Sequence, residues 1–398
     1  MSMLKYSRMD FLCTCVGLLL LLLDIGLDIW AAVDFYQEGA WGPLAVLLLL
    51  LVGSSVLVQV YSWVWYSYEK FQMETRVEKC LRPGLKLLHV LQMGIYIRYA
   101  GVLESSMGSF FSRHSRPSDK AVYLIHDLSL LQIIETFSES SPQIVLMLSI
   151  ILQKGQLDLV TVMKALGSVS AVAFSVTTYH RCLDSFLPEK YKQSFLSWVV
   201  YFLCHLTLLL SRLVALALFT SVMSFFIFSH FFGSWLLLFF CARHSDTAFM
   251  DSHEGERLYR ATVGLVWYFN WFDLVKGKTR KPMLLYHGFI LVDICVLLGV
   301  WYWKMSTDPP GFVVPRAYAA ATATAVVFLY VLGLLLKVLY YKCFHQILRR
   351  GGSTERLLPN DEMDPPRSDP DFVMDISEPG TQEHCNRRIK KLAENFYN

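Results

Sequence analysis

An all-α, polytopic membrane protein is the fold class this sequence predicts, on three observations. Apolar residues make up 54% of the 398-residue chain and charged residues 17%, against about 45–50% and about 25% in an ordinary soluble domain. Several stretches run long enough with few charges to cross about 30 Å of hydrocarbon as helices, at about 1.5 Å per residue. Lys and Arg gather in some of the loops between those stretches and are missing from others, the asymmetry that orients membrane spans.

Ten hydrophobic segments follow in order. The first, 9–33, contains "DFLCTCVGLLLLLLDIGLDIWAAV" and is too long for a signal-peptide core, so a retained span is expected. The second, 41–68, ends in the aromatic run "YSWVWYSY", and the eighth, 257–275, contains "VWYFNWF". Both runs lie near segment ends, where interfacial aromatic belts form. Between them lie 84–104, 119–153, 157–179, 194–220 and 222–242; after them come 283–305 and 317–341. A polar tail begins near residue 346. The nine cysteines form no CxxC pair, and their places within or beside spans point to reduced thiols.

Charge orients the segments. Loop 69–83 holds Lys70, Arg76, Lys79 and Arg82, loop 180–193 holds Arg181, Lys190 and Lys192, and 276–281 reads "KGKTRK"; all three are expected on the cytosolic side. Loops 34–40 and 306–315 hold no Lys or Arg before Arg316 and are expected outside. Three segments separate each successive pair of cytosolic loops, an odd number, so one in each interval should not cross fully. Eight spans and two partly inserted helices result. In the first interval the candidate is 119–153, too long for one span and interrupted at Ser140-Ser141-Pro142. In the second, 222–242 with Gly233 is the weaker choice. One such element on each side of residue 180 suggests two related halves, 1–180 and 181–345, followed by an acidic linker, 346–385, and a terminal helix, 386–398.

Among the charged residues that the segments hold are Asp24, Asp28, Arg98, Asp127, Glu135, Glu139, Arg212, Asp293 and Lys337. Each would cost about 2.5–3.5 kcal/mol at mid-bilayer, so each should face protein or water. Asp24 and Asp28 are one helical turn apart, and Asp10 lies close to four turns before Asp24. Asp127, Glu135 and Glu139, spaced by eight and four, form a second stripe. Such stripes suit a polar track; buried structural ion pairs with Arg98 or Arg212 are the plainer alternative. Carboxylates four apart can chelate a cation, but no His or Cys stands at ligand spacing beside them, and no metal or cofactor is expected. His89, His205 and His287 stand alone on apolar helices and read as core histidines with local partners. Walker loops, GxSxG and HExxH are absent, so the residues indicate no enzyme.

The stretches "LLDIGLDIWAAVDFYQEG", "IIETFSESSPQIVLMLSIILQKGQ", "TYHRCLDSFLPEKY" and "LYRATVGLVWYFNWFDLVKGKTRK" resemble the XK-related family of membrane proteins. The match runs from residue 10 to about 345, and Glu-x-x-x-Glu-x-x-Pro-Gln is its most specific motif. The tail, ending "NRRIKKLAENFYN", is most similar to the caspase-activated phospholipid scramblases of that family. The resemblance implies eight spans with two partly inserted helices in two related halves, cytosolic termini, a plasma-membrane location, and scrambling that exposes phosphatidylserine on apoptotic cells. It implies an executioner caspase and a single-span immunoglobulin-type partner, basigin or neuroplastin, as well as phospholipids as cargo. By motif match, its lipid path carries over to Asp10, Asp24, Asp28, Arg98, Glu135, Glu139, Arg181 and Asp293. One departure is Thr178, which stands before Tyr-His-Arg where relatives often have an acid.

The tail suits a switch. Residues 361–383 carry eight acidic side chains and one Arg, a composition that cannot pack a core. Beyond them, Ile389, Leu392 and Phe396 form an apolar stripe beside the basic Arg387 on a helix too short to stand alone in water. Asp375, Asp371 and Asp364, in that order, are candidate caspase sites, and each cut releases the same inhibitory helix. The alternative function is an ion-coupled transporter or channel using Glu135 and Glu139; a third is a subunit that only escorts a partner.

Overall fold

The computed structural model describes residues 8–68, 75–111, 119–155, 159–184, 195–244, 249–250, 252–272, 280–309 and 314–345, with Phe71 and Met73. The tail lies outside the described residues, and with it Asp364, Asp371, Asp375, Arg387, Ile389, Leu392 and Phe396.

The described residues are helical throughout, without a strand. In chain order the helices are α1 (Arg8–Gln37), α2 (Trp41–Tyr68), α3 (Arg76–Leu81), α4 (Leu85–Val90), α5 (Gly94–Phe111), α6 (Asp119–Glu135), α7 (Ser141–Lys154), α8 (Leu159–Asp184), α9 (Phe195–Val222), α10 (Phe226–His244), α11 (His253–Phe269), α12 (Arg280–Thr307) and α13 (Arg316–Tyr340). Six of them, α1, α2, α9, α10, α12 and α13, are long and apolar enough to cross a membrane. Their outward faces carry large apolar side chains such as Leu23, Leu49, Phe226, Leu284 and Phe328, as surfaces facing lipid require.

Contacts between helix ends fix their directions. Arg181 at the end of α8 pairs with Asp10 at the start of α1 (2.9 Å). Lys154 at the end of α7 pairs with Glu38 just past α1 (2.6 Å). Helix α1 therefore runs alongside α6 and α7 and antiparallel to α8. One apolar core spans both halves, and α9 packs on α7, α8, α12 and α13.

The expected break at Ser140-Ser141-Pro142 does not occur. Helix α6 continues through a π turn, Thr136–Ser140, directly into α7. Pro142 has no N–H and would clash with the carbonyl four residues back. The wider π turn accommodates it: the Ser141 N–H donates to Thr136 O, five residues back, and the Ser138 hydroxyl donates to Ile134 O (2.7 Å). Such one-turn bulges are the usual way a helix absorbs a misfit residue without breaking.

The chain turns back elsewhere. Between α4 and α5 it reverses over residues 91–93, with Gln92 in the left-handed region (φ 62°). The first N–H of α5, on Gly94, donates to the Gln59 side chain (2.9 Å), nine residues before the end of α2. This reversal sits about two-thirds of the way along α2. In the second half, α10, which covers most of 222–242, is by length and composition one of the six helices able to cross a membrane. Helix α11 is the shorter one, 17 residues, and stops at Asn270 in extended conformation. Its N-terminus lies at the end of α2, where Tyr68 Oη meets Ser252 Oγ (2.7 Å), and its C-terminus meets Arg212 and His230 inside the bundle.

That placement overturns the aromatic-belt reading. Tyr61, Trp65 and Tyr66 are buried, as are Val266–Phe269, Trp271 and Phe272. They pack α2, α11 and the following residues against each other, with Trp267 stacked on Trp271 (5.0 Å) and Tyr179 against Phe272 (4.8 Å). Burial inside the bundle leaves these rings no lipid-facing surface on which a belt could form.

Candidate functional site

Four carboxylates converge where α1 meets the π turn. Asp24 and Asp28 project from α1 one turn apart. Asp24 accepts a hydrogen bond from Ser140 Oγ (2.8 Å), and Asp28 accepts one from Gln143 Nε2. Glu139 reaches the same place, so that carboxylate oxygens of Asp24, Asp28 and Glu139 lie within 4.8 Å of one another. Asp28 Oδ2 and Gln143 Oε1 are buried without a hydrogen-bond partner. Three oxygen ligands at this separation, with an amide oxygen alongside, are a donor set that an oxygen-seeking cation could use.

Glu135 completes the group, as the residue directly before the π turn. It lies on the wall of two cavities. One, about 440 Å³, runs between α1, α7 and α8, and is lined by Asp24, Gln132, Glu135, Ser140 and Gln143 with Leu, Ile and Trp30 around them. The other, about 640 Å³, lies between α1, α2 and α5 and is lined by Asp28, Gln59, Gln92, Glu135 and Glu139 with an apolar rim. The carboxylates therefore form the partition between two spaces whose remaining walls are mostly hydrocarbon. Ser138 and Ser54 bridge the π turn to α2 (2.7 Å).

The other residues of the expected track stand apart from this group. Asp10 and Arg181 form an ion pair at the opposite end of α1, with the Arg181 side chain a quarter exposed. Arg98 of α5 is buried and lies 3.7 Å from Asp127, donates to Ser62 O (3.2 Å) and stacks on Tyr66 (3.8 Å). Asp293 belongs to the second half: Arg212 Nη1 donates to it at 2.5 Å, and His230 Nε2 lies 3.0 Å from its other oxygen. Asp10, Arg98, Arg181 and Asp293 line neither cavity.

The second-half cluster has a physical reason to exist. Helix α11 ends inside the protein, so its last carbonyls need buried donors. Arg212 Nε donates to Tyr268 O (3.2 Å) and Tyr286 Oη to Trp267 O (2.6 Å). A cation at a helix C-terminus suits the dipole, and Asp293 balances the Arg212 charge. The lone histidines have local partners as expected: His89 with Leu85 O and Ser62, His205 with Asn270 (2.9 Å), and His287 with Tyr330 and Lys337.

Spacing foresaw the Asp24–Asp28 and Glu135–Glu139 pairs but not their meeting, and it missed Ser140, Gln143 and His230. Gln143 closes the Glu-x-x-x-Glu-x-x-Pro-Gln motif, which was the available signal for it. His230 had no comparable signal, because only the α9–α10 turn brings it to Asp293.

With this geometry established, comparison with known proteins is informative. A family model described as XK-related protein matches residues 12–346. XK-related protein 8 of Tetraodon nigroviridis is 39% identical over 402 residues, covering 100% of this chain and 98% of that protein. XK-related protein 8 of Gasterosteus aculeatus is also 39% identical over 402 residues, covering 99% and 98%. XK-related protein 8 of Pan troglodytes is 32% identical over 392 residues, covering 98% and 94%.

Proposed function

The chain belongs to the XK-related family, and from that premise we propose that it is a phospholipid scramblase, activated by caspase cleavage of its tail and exposing phosphatidylserine on apoptotic cells. The observation that carries this reading is the carboxylate partition: Asp24, Asp28, Glu135 and Glu139 sit between two cavities whose other walls are apolar. A headgroup crossing hydrocarbon loses its hydration without compensation. Beside a polar strip it keeps charge and hydrogen-bond partners while its acyl tails stay in lipid.

Scrambling of this kind runs down the lipid gradient and needs no ATP. Arg98 and the Asp10–Arg181 pair stand apart from this partition and brace the helices of the first half around it. The protein sits in the plasma membrane with both termini cytosolic, delivered by a basigin- or neuroplastin-type partner. The terminal helix docks on the cytosolic face and holds the resting state until an executioner caspase cuts at Asp375, Asp371 or Asp364.

The test is reconstitution in liposomes carrying fluorescent phospholipid, with and without caspase treatment. Cleaved protein is expected to transfer lipid between leaflets, intact protein much less, and cleaved Glu135→Gln/Glu139→Gln to fall to background. Absence of transfer in both states would sink the reading. A second reading, cation binding or transport, is favoured by the 4.8 Å oxygen cluster. It predicts ion flux that the same double variant abolishes, with no lipid movement.

A further inference from the structure

Helix α11 is a strut between the two halves. At its N-terminus Ser252 meets Tyr68 at the end of α2. Midway, Thr262 accepts from Tyr61 Oη (2.8 Å). At its C-terminus Phe269, its last residue, stacks on Phe137 with ring centroids 6.2 Å apart and planes 26° from parallel. Both rings are buried, Phe137 completely. The far end of α11 is clamped by the Arg212 and Tyr286 hydrogen bonds to its final carbonyls and by Trp267 Nε1 donating to Phe272 O (2.9 Å).

Phe137 is not an ordinary core residue. It is the second residue of the π turn, between Glu135 and Glu139. A π turn holds one residue more than an α turn, so the direction of every side chain in it depends on what holds the bulge in place. Pro142 on the far side favours the bulge. Ser54 contacts the turn through Ser138 on one side, and Phe269 presses on it from the other half of the molecule. Helix α11 contributes neither a carboxylate nor a cavity wall to the site, yet its last ring packs on the Phe137 ring, which the turn carries between two of the four carboxylates.

We propose that Phe269 is a positioning residue for the carboxylate partition: carried on α11, it seats Phe137 and so sets the π turn that orients Glu135 and Glu139. Through this contact the second half governs the site in the first. Movement of α11 along α2, which the Tyr61–Thr262 and Tyr68–Ser252 hydrogen bonds resist, re-aims both glutamates together. The consequence for lipid transfer rests on the scramblase reading; the consequence for the geometry of the turn does not.

Two measurements test it. The first uses full-length protein carrying Glu139→Cys in a background lacking reactive native thiols, and follows the rate at which that thiol is modified by a small thiol reagent. Phe269→Ala should change that rate about fivefold or more, and Phe269→Tyr should leave it near the parent value. The second uses liposomes and proteins that retain Glu139, and reads the ratio of lipid-transfer rates after and before caspase cleavage. Phe269→Ala should lower the ratio about fivefold or more, with Phe269→Tyr retaining it. Phe269→Leu, near in volume, replaces the Ala variant if that fails to give a monodisperse protein. An unchanged labelling rate in the Ala or Leu variant overturns the proposal. So does an unchanged transfer ratio in a protein whose parent scrambles. A parent that moves no lipid in either state counts against the scramblase reading alone, and the labelling rate then decides the positioning role.

Discussion

Single residues divide the buried charges into two kinds. Asp24, Asp28, Glu135 and Glu139 line open space, whereas Arg212 and Asp293 are bound to each other and to the end of α11. Removing one member of a buried pair strands the other, at a cost of about 3–5 kcal/mol. Arg212→Ala is therefore expected to lower thermal stability in detergent sharply, and Arg212→Met/Asp293→Leu to recover most of the loss; a melting curve of each purified variant checks this. The Asp10–Arg181 pair is more open to water and can be tested by exchange. Asp10→Arg should impair lipid transfer, and Asp10→Arg/Arg181→Asp should restore it if the pair acts by holding α1 to α8, as read in the liposome assay. Spacing alone made the two acidic pairs visible. It could not separate a cavity-lining acid from a charge-balanced one, because that depends on what stands opposite.

At the scale of elements, the informative features are those that depart from a plain span. Helices α10 and α11 approach closely enough that a Cβ on Gly264 would lie 3.1 Å from the backbone nitrogen of Phe239 and 3.3 Å from its Cα. Backbone cannot swing aside as a side chain can. Gly264→Val should push the two helices apart and destabilise the protein by about 1–3 kcal/mol, measured as a fall in melting temperature. By contrast, Gly233 has open space around it and should tolerate Ala. Most helices were legible as hydrophobic segments with nearly the observed ends. The π turn was not: a proline after two serines reads as a break, and the wider turn that lets the helix run through it leaves no mark on the hydrophobic pattern. The early stop of α11 at Asn270 was likewise hidden, since the hydrophobic run continues past it through Trp271 and Phe272.

Across the whole molecule, charge bias predicts that the loop before α4 and the residues after α13 share the cytosolic face. Cys80 on α3 and Cys343 just past α13 are both exposed and report on this. In variants retaining one of these thiols, a membrane-impermeant maleimide is expected to leave intact cells unlabelled and to label both sites after permeabilisation. Labelling of either from outside would reverse the orientation. The shared apolar core also means that the two halves are not independent domains: α9 of the second packs directly on α7 and α8 of the first.

By itself the sequence determined the membrane class, the long helices and the presence of paired buried acids, because each follows from composition or from a helical period within one segment. Only the tertiary structure decided which segments turn back, which acids meet across helices, and that the aromatic runs lie in the core. Those outcomes rest on contacts between residues far apart in the chain, such as Asp28 with Gln143, Tyr61 with Thr262 and Phe137 with Phe269. The energy of such contacts depends on how helices pack, and a periodicity confined to one helix carries no information about its neighbour.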